Sequence, residues 1–149
     1  MQLVKNYGAA GFIAAGATRL LGPLDAFKTI KLDTLAGSVV SLPASVGRGA
    51  RFAFLVSVLA TSNSHIVKVA NSVDVMRGLV GGFNNATGAF TMFAAGNTDD
   101  TITMNRAGTG SVSIGEWLEF VDYAAGFWAV KGALSASAAA FTTPFSATV

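Results

Sequence analysis

From Phe27 to the end of this 149-residue chain, apolar residues come in short alternating runs that stop at Gly, Pro, Asn, Asp or Ser. No segment sustains the 3.6-residue period of an amphipathic helix, so strands joined by turns are what the pattern permits. "KTIKLD" sets Ile30 and Leu32 on one side against Thr29, Lys31 and Asp33. "SVVSLP" is a strand ended by Pro43, which cannot donate to a ladder. "ARFAFLVSVLA" sets Phe52, Phe54, Val56 and Val58 on one side and Arg51, Ala53, Leu55 and Ser57 on the other. Both of its faces are therefore largely apolar, which requires burial on two sides or a partner on one. "EWLEFVDY" and "FWAVKGAL" around "AAG" read as an antiparallel hairpin, with Trp117 and Trp128 as possible cross-strand neighbours. Roughly eight to ten strands result, the pattern of an antiparallel β-sandwich or jelly-roll-like barrel. No repeat of 20–50 residues suggests a solenoid or propeller.

Residues 1–22 follow a different rule. They are Ala- and Gly-rich with no clear period, and they end at "LLGPLD". The expected organisation is an irregular N-terminal arm over residues 1–22 and a β-sandwich over residues 23–149. "YGAAGFIAAGATRLLGPL" is interrupted by Gly8, Gly11, Gly16, Arg19 and Pro23, so neither a spanning helix nor a signal peptide is expected.

Hydrophobic residues make up 52% of the chain and charged residues 12%. An ordinary soluble domain reaches about 45–50% apolar with Gly included and carries about 25% charge. A solitary monomer of this composition has to expose large apolar patches, which monomers rarely do. Assembly with other subunits is the expectation. The net charge of +2 comes from scattered residues and forms no dense basic tract, so no nucleic-acid partner is expected. Cysteine is absent, which removes disulfides, thiol nucleophiles and Cys-based zinc sites.

Each chemical constellation has a plainer explanation. His65, the single histidine, follows the turn "TSNS", where a half-exposed histidine is commonplace. Glu116 and Asp122 share a side of one strand but lie about 20 Å apart, while Glu119 points the other way. They cannot act on one bond as a carboxylate pair does. Asp99 and Asp100 read as a turn, and "GTGSVSIG" lacks the helix that a phosphate loop requires. "NAT" at Asn85 is a formal glycosylation sequon only. No enzyme activity, cofactor or metal is expected.

Four stretches carry a resemblance: "IKLDTLAGSVVSLPASVGRGARFAFLVSV", "TSNSHIVKVAN", "TDDTITMN" and "GEWLEFVDYAAGFWAVKGALS". Over about Thr29 to Phe145 the chain resembles head decoration, or capsid cement, proteins of tailed bacteriophages. The resemblance implies a β-rich virion protein on the outer surface of an HK97-type capsid. Its partners would be the major capsid protein and sister subunits, most simply in a trimer at three-fold or quasi-three-fold positions. Residues 1–22 have no counterpart in it. They would act as a strap against a neighbouring subunit, adding a strand to its sheet edge. Candidate partner-facing residues are Leu3, Phe12, Ile13, Leu20 and Leu21 of the arm, Leu55 of the Phe-rich strand, and Trp117 and Trp128 of the hairpin. The alternatives are a receptor- or carbohydrate-binding domain of a tail or fibre, with an exposed Trp in a concave site, and a ring-forming tail-tube subunit. Decoration implies that both tryptophans are largely buried.

Overall fold

The computed structural model describes residues 11–137 and 140–149. Those residues form an all-β sandwich of two mixed sheets. The larger sheet contains β1 (Phe12–Ala14), β3 (Thr29–Leu32), β5 (Arg51–Val56), β7 (Val75–Asn84), β8 (Phe90–Ala94), β10 (Trp117–Ala124) and β11 (Phe127–Ala136). Its order is β1-β3-β5-β10-β11-β7-β8. The smaller contains β2 (Thr18–Leu20), β4 (Val39–Leu42), β6 (His65–Val69), β9 (Thr101–Met104) and β12 (Phe145–Ser146), in the order β12-β9-β6-β4-β2. A single 3-10 turn, Pro23–Asp25, links β2 to β3.

The sandwich is not the antiparallel one that the turn spacing suggests. From β1 to β6 the chain alternates between the sheets, moving one strand sideways with each circuit. β1, β3 and β5 are consequently parallel, and so are β2, β4 and β6. The crossovers pass between layers, which is how parallel neighbours arise here without helices. The later strands return to local pairing: β7 with β8, and β10 with β11, are antiparallel hairpins.

Residues 11–22 are part of this body, which corrects the expected arm. Phe12–Ala14 pair with Thr29–Lys31, and Thr18–Leu20 pair with Val39–Ser41. Each run forms the edge of one sheet, so the strands are added to the chain's own sheets. Ala15 and Leu21 are buried between them.

Alternation fills the space between the layers. Ile30, Leu32, Phe52, Phe54, Val56, Leu118, Phe120, Trp128 and Val130 of the larger sheet join a single buried cluster with Val40, Leu42, Val67, Val69, Ile102 and Met104 of the smaller. Phe54 meets Phe120 edge-on at 5.5 Å between ring centres, and Phe52 meets Trp128 at 5.7 Å. Each fully buried side chain of this size contributes about 1.5–3 kcal/mol. Phe52, Phe54 and Val56 therefore occupy the core, while Arg51, Ala53 and Leu55 point outward from the larger sheet.

Candidate interface on the outer face of the larger sheet

The register across the larger sheet arranges its outward side chains in rows. One row runs Lys31, Leu55, Trp117, Ala133, Gly81, Met92. The next runs Phe12, Thr29, Ala53, Glu119, Lys131, Leu79, Ala94. At the centre, the Glu119 carboxylate lies 3.2 Å from both Arg51 and Lys131. These charges are partly exposed, and such pairs hold little stability. They give the face a polar middle.

Its rim beyond β10 is apolar. Trp117, Leu79, Phe83, Phe90 and Met92 are all exposed large side chains. Gly81 lets two of them lie flat, because a Cβ there would meet the Phe90 ring at 2.6 Å and the Met92 sulfur at 2.8 Å. The result is a patch on the order of a few hundred Å², the size at which exposed apolar surface is commonly functional. β8 also ends the sheet. Backbone bonds from Asn84 N–H to the Ala89 carbonyl and from Ala95 N–H to the Gly78 carbonyl bracket this strand. The antiparallel alternation then turns the N–H and C=O groups of Phe90, Met92 and Ala94 away from β7. An uncharged edge strand with outward backbone groups is a template for strand pairing.

The eight candidate residues separate on this frame. Leu3 lies outside the described residues. Phe12 is 65% exposed on edge strand β1, with the Lys31 ammonium 4.4 Å above its ring. Leu20 is 69% exposed on the edge of the other sheet. Ile13 and Leu55 are half-buried, and Leu55 stands opposite Trp117. Leu21 and Trp128 are buried within the protomer, which removes both from the interface. The tryptophans are not cross-strand neighbours either. Trp117 faces Ala133 across the hairpin, and Trp128 faces Asp122. Trp117 is 43% exposed, contrary to the expectation of two buried rings. Leu79, Phe83, Phe90 and Met92 were not among the candidates, although "VMRGLVGGF" and "GAFTMFAA" are apolar on both faces as the β5 stretch is.

The polar residues that attract a catalytic reading are engaged internally. His65 is fully buried, against the half exposure expected of it. Its Nδ1 accepts from Ser38 N–H at 3.0 Å, and its Nε2 donates to the Val58 carbonyl at 2.8 Å. The Glu116 carboxylate accepts from the N–H groups of Ser111, Val112 and Ser113 and from the Ser135 hydroxyl, which closes the "GTGSVSIG" loop. Asp100 ties down the C-terminus by accepting from Thr148 and Val149 N–H. Among the described residues, no group of three His, Cys, Asp or Glu side chains is placed to hold a metal ion.

Burial holds the His65 pKa below its ordinary value, outweighing the opposing pull of the Val58 carbonyl and of Glu116 and Asp33. The unfolded chain therefore takes up this proton first as pH falls, and stability must fall below about pH 6.5. The midpoint of urea unfolding is expected to drop between about pH 7 and pH 5, a range above ordinary carboxylate titration. A midpoint constant across that range would contradict the buried, neutral ring.

Comparison with known proteins adds no constraint: no family model matches the chain, and neither does any curated protein or solved structure.

Proposed function

We propose that this chain is a virion structural protein, a decoration protein that stabilises an HK97-type phage capsid from outside, as a trimer at three-fold or quasi-three-fold positions. The observation that carries this reading is the apolar rim of Leu79, Phe83, Phe90 and Met92 beside an open sheet edge, on a chain with 12% charged residues. A surface of that kind calls for a protein partner, and closed cyclic symmetry is the usual way for copies of one chain to cover it. The sequence resemblance supplies the capsid and the three-fold.

Light scattering on the purified protein should give the mass of a trimer at micromolar concentration, and the trimer should bind emptied, expanded capsids. Phe90→Lys, which places a charge on the exposed edge, should lower the mass to that of a monomer and weaken capsid binding, with a lower melting temperature because assembly no longer stabilises the fold but with cooperative unfolding retained. A wild-type protein that stays monomeric would sink the trimer. A Phe90→Lys protein that remains trimeric would place the subunit contact elsewhere.

One observation favours a second reading. The exposure of Trp117 on a sheet face is what a receptor- or carbohydrate-binding domain of a tail or fibre offers for stacking. Quenching or shift of Trp117 fluorescence by host-surface glycans, abolished in Trp117→Ala, would support that reading over decoration.

A further inference from the structure

The outward side of the larger sheet is one-sided in charge. Lys28, Lys31, Arg51, Arg77 and Lys131 lie on it, five of the chain's ten basic residues. Glu119 is the single carboxylate among them, and it serves Arg51 and Lys131 together at 3.2 Å each. Arg77 is turned toward the carbonyls of Gly96 and Asn97. Lys28 and Lys31 form no ion pair among the described residues, and Lys31 caps the Phe12 ring. Five positive charges therefore face one negative charge on a chain whose formal net charge is +2.

Between the cations the face is hollow, because Thr29, Ala53 and Ala129 are small. Three adjoining hollows of about 240, 190 and 290 Å³ follow one another across the strands. The first two share Phe27 and Thr29, and the last two share Arg51 and Glu119. Together they form a shallow trough from Phe12 on β1 to Lys131 on β11. Five strands set about 4.8 Å apart make it about 20 Å long, the span of about six extended residues. Leu55 and Trp117 face each other in the row alongside, where they offer apolar surface.

Charge decides what can lie there. A second copy cannot supply the counter-charge. Glu119 is one of eight acidic residues, and all the others are buried or half-buried and accept hydrogen bonds within the chain. Two copies placed face to face would oppose like charges. A nucleic-acid strand carries a charge on every nucleotide and would set one against Glu119. An acidic peptide segment avoids that conflict, since it can place carboxylates on the flanking cations and a neutral residue over Glu119.

We infer that this trough docks an extended, acidic segment of another protein, with carboxylates on Lys28, Arg51 and Lys131 and apolar side chains toward Leu55 and Trp117. The site is separate from the open edge at β8 and does not depend on the proposed role in a virion.

The test is a titration of the ¹⁵N-labelled full-length protein with a capped hexapeptide, Glu-Val-Thr-Val-Glu-Val. The backbone signals of Ala53 and Lys131 and the indole signal of Trp117 should shift saturably, with a dissociation constant on the order of millimolar. Raising the salt from about 20 to about 200 mM should weaken the binding. Glu119→Gln releases Arg51 and Lys131 from their internal carboxylate, so it should tighten binding about two- to five-fold. Lys28→Glu combined with Lys131→Glu should weaken it at least about ten-fold while cooperative unfolding is retained. The inference is overturned if the peptide gives no saturable shift, or if its glutamine analogue binds equally well. It is equally overturned if Glu119→Gln fails to tighten binding, or if the double reversal leaves it intact. Tighter binding of an oligothymidylate than of the peptide would make the face a nucleic-acid platform and overturn it as well.

Discussion

A protein lacking residues 1–22 is expected not to fold. A strap would be dispensable to the body it hangs from, but residues 11–22 close one side of both sheets. Main-chain bonds run from Thr29 N–H to the Gly11 carbonyl, from Ala15 N–H to Lys31, from Val39 N–H to Ala17 and from Leu21 N–H to Ser41. Gly16 N–H donates to the Asp33 carboxylate. Each such bond is worth about 0.5–1.5 kcal/mol net. Losing the buried Leu21 side chain adds about 2–5 kcal/mol. Deletion also uncovers the flanks of Ile30 and Val40, which are fully buried in the intact sandwich. The sum reaches into the about 5–15 kcal/mol that holds a whole domain together. The truncated chain should show no cooperative thermal transition by circular dichroism. A transition at the full-length temperature would restore the strap and remove β1 and β2 from the structural core.

Why those residues are illegible in the sequence follows from their length. Phe12–Ala14 and Thr18–Leu20 are three-residue strands set among Gly11, Gly16 and Gly22, too short to display a period of two. Their pairing partners lie on later circuits of the chain, where nothing local fixes the register. The same limit hides every parallel pair from β1 to β6. The hairpin of β10 and β11 was legible because its turn and both strands are contiguous. The inward set Phe52, Phe54 and Val56 was legible because alternation over one strand decides it.

The polar residues divide in a similar way. "TSNSH" advertises an exposed turn, yet His65 is drawn inside by two main-chain partners, Ser38 from an earlier circuit and Val58 from the near side of the same turn. The separation of Glu116 from Asp122 could be read from strand geometry. The loop that Asp122 gathers could not, since Ser45 to Arg48 reach it only by tertiary approach, whereas Glu116 gathers the Ser111–Ser113 turn just before it in the chain. For the candidate interface, the Leu55 face of β5 that sequence set aside for a partner is the outward face of the larger sheet. Its largest group of exposed apolar side chains nevertheless lies two and three strands beyond Trp117, on β7 and β8.

Asp122 is the polar residue whose replacement should cost most. It sits at the end of β10 opposite Trp128, and its carboxylate gathers the Ser45–Arg48 loop while its backbone carbonyl accepts from Gly49 N–H. One oxygen accepts from the Ser45 hydroxyl at 2.7 Å, Val46 N–H at 3.0 Å and Gly47 N–H at 2.6 Å, and the other accepts from Arg48 N–H at 3.1 Å. The approach is close enough to require glycine at position 47, with φ 74° and a Cβ that would lie 3.2 Å from the Ala124 backbone. Burial alone would raise the Asp122 pKa, but the Ser45 hydroxyl and the N–H groups of Arg48, Gly47 and Val46 together hold it below the ordinary value. Asp122→Asn removes the charge and must turn its NH₂ toward at least one of those donors. Removing the carboxylate from under several donors should cost about 1.5–3 kcal/mol, the range for hydrogen bonds to a charged group. The sign of the pH dependence follows from the lowered pKa. Between the folded and unfolded values the unfolded chain binds more protons, so this stabilisation is complete above about pH 4 and is lost as pH falls through the folded pKa. Urea unfolding curves of wild type and Asp122→Asn should therefore lie far apart at neutral pH and draw together in acid. A deficit of the same size at about pH 2 would show that the carboxylate's charge contributes nothing and that the loop is held by shape alone.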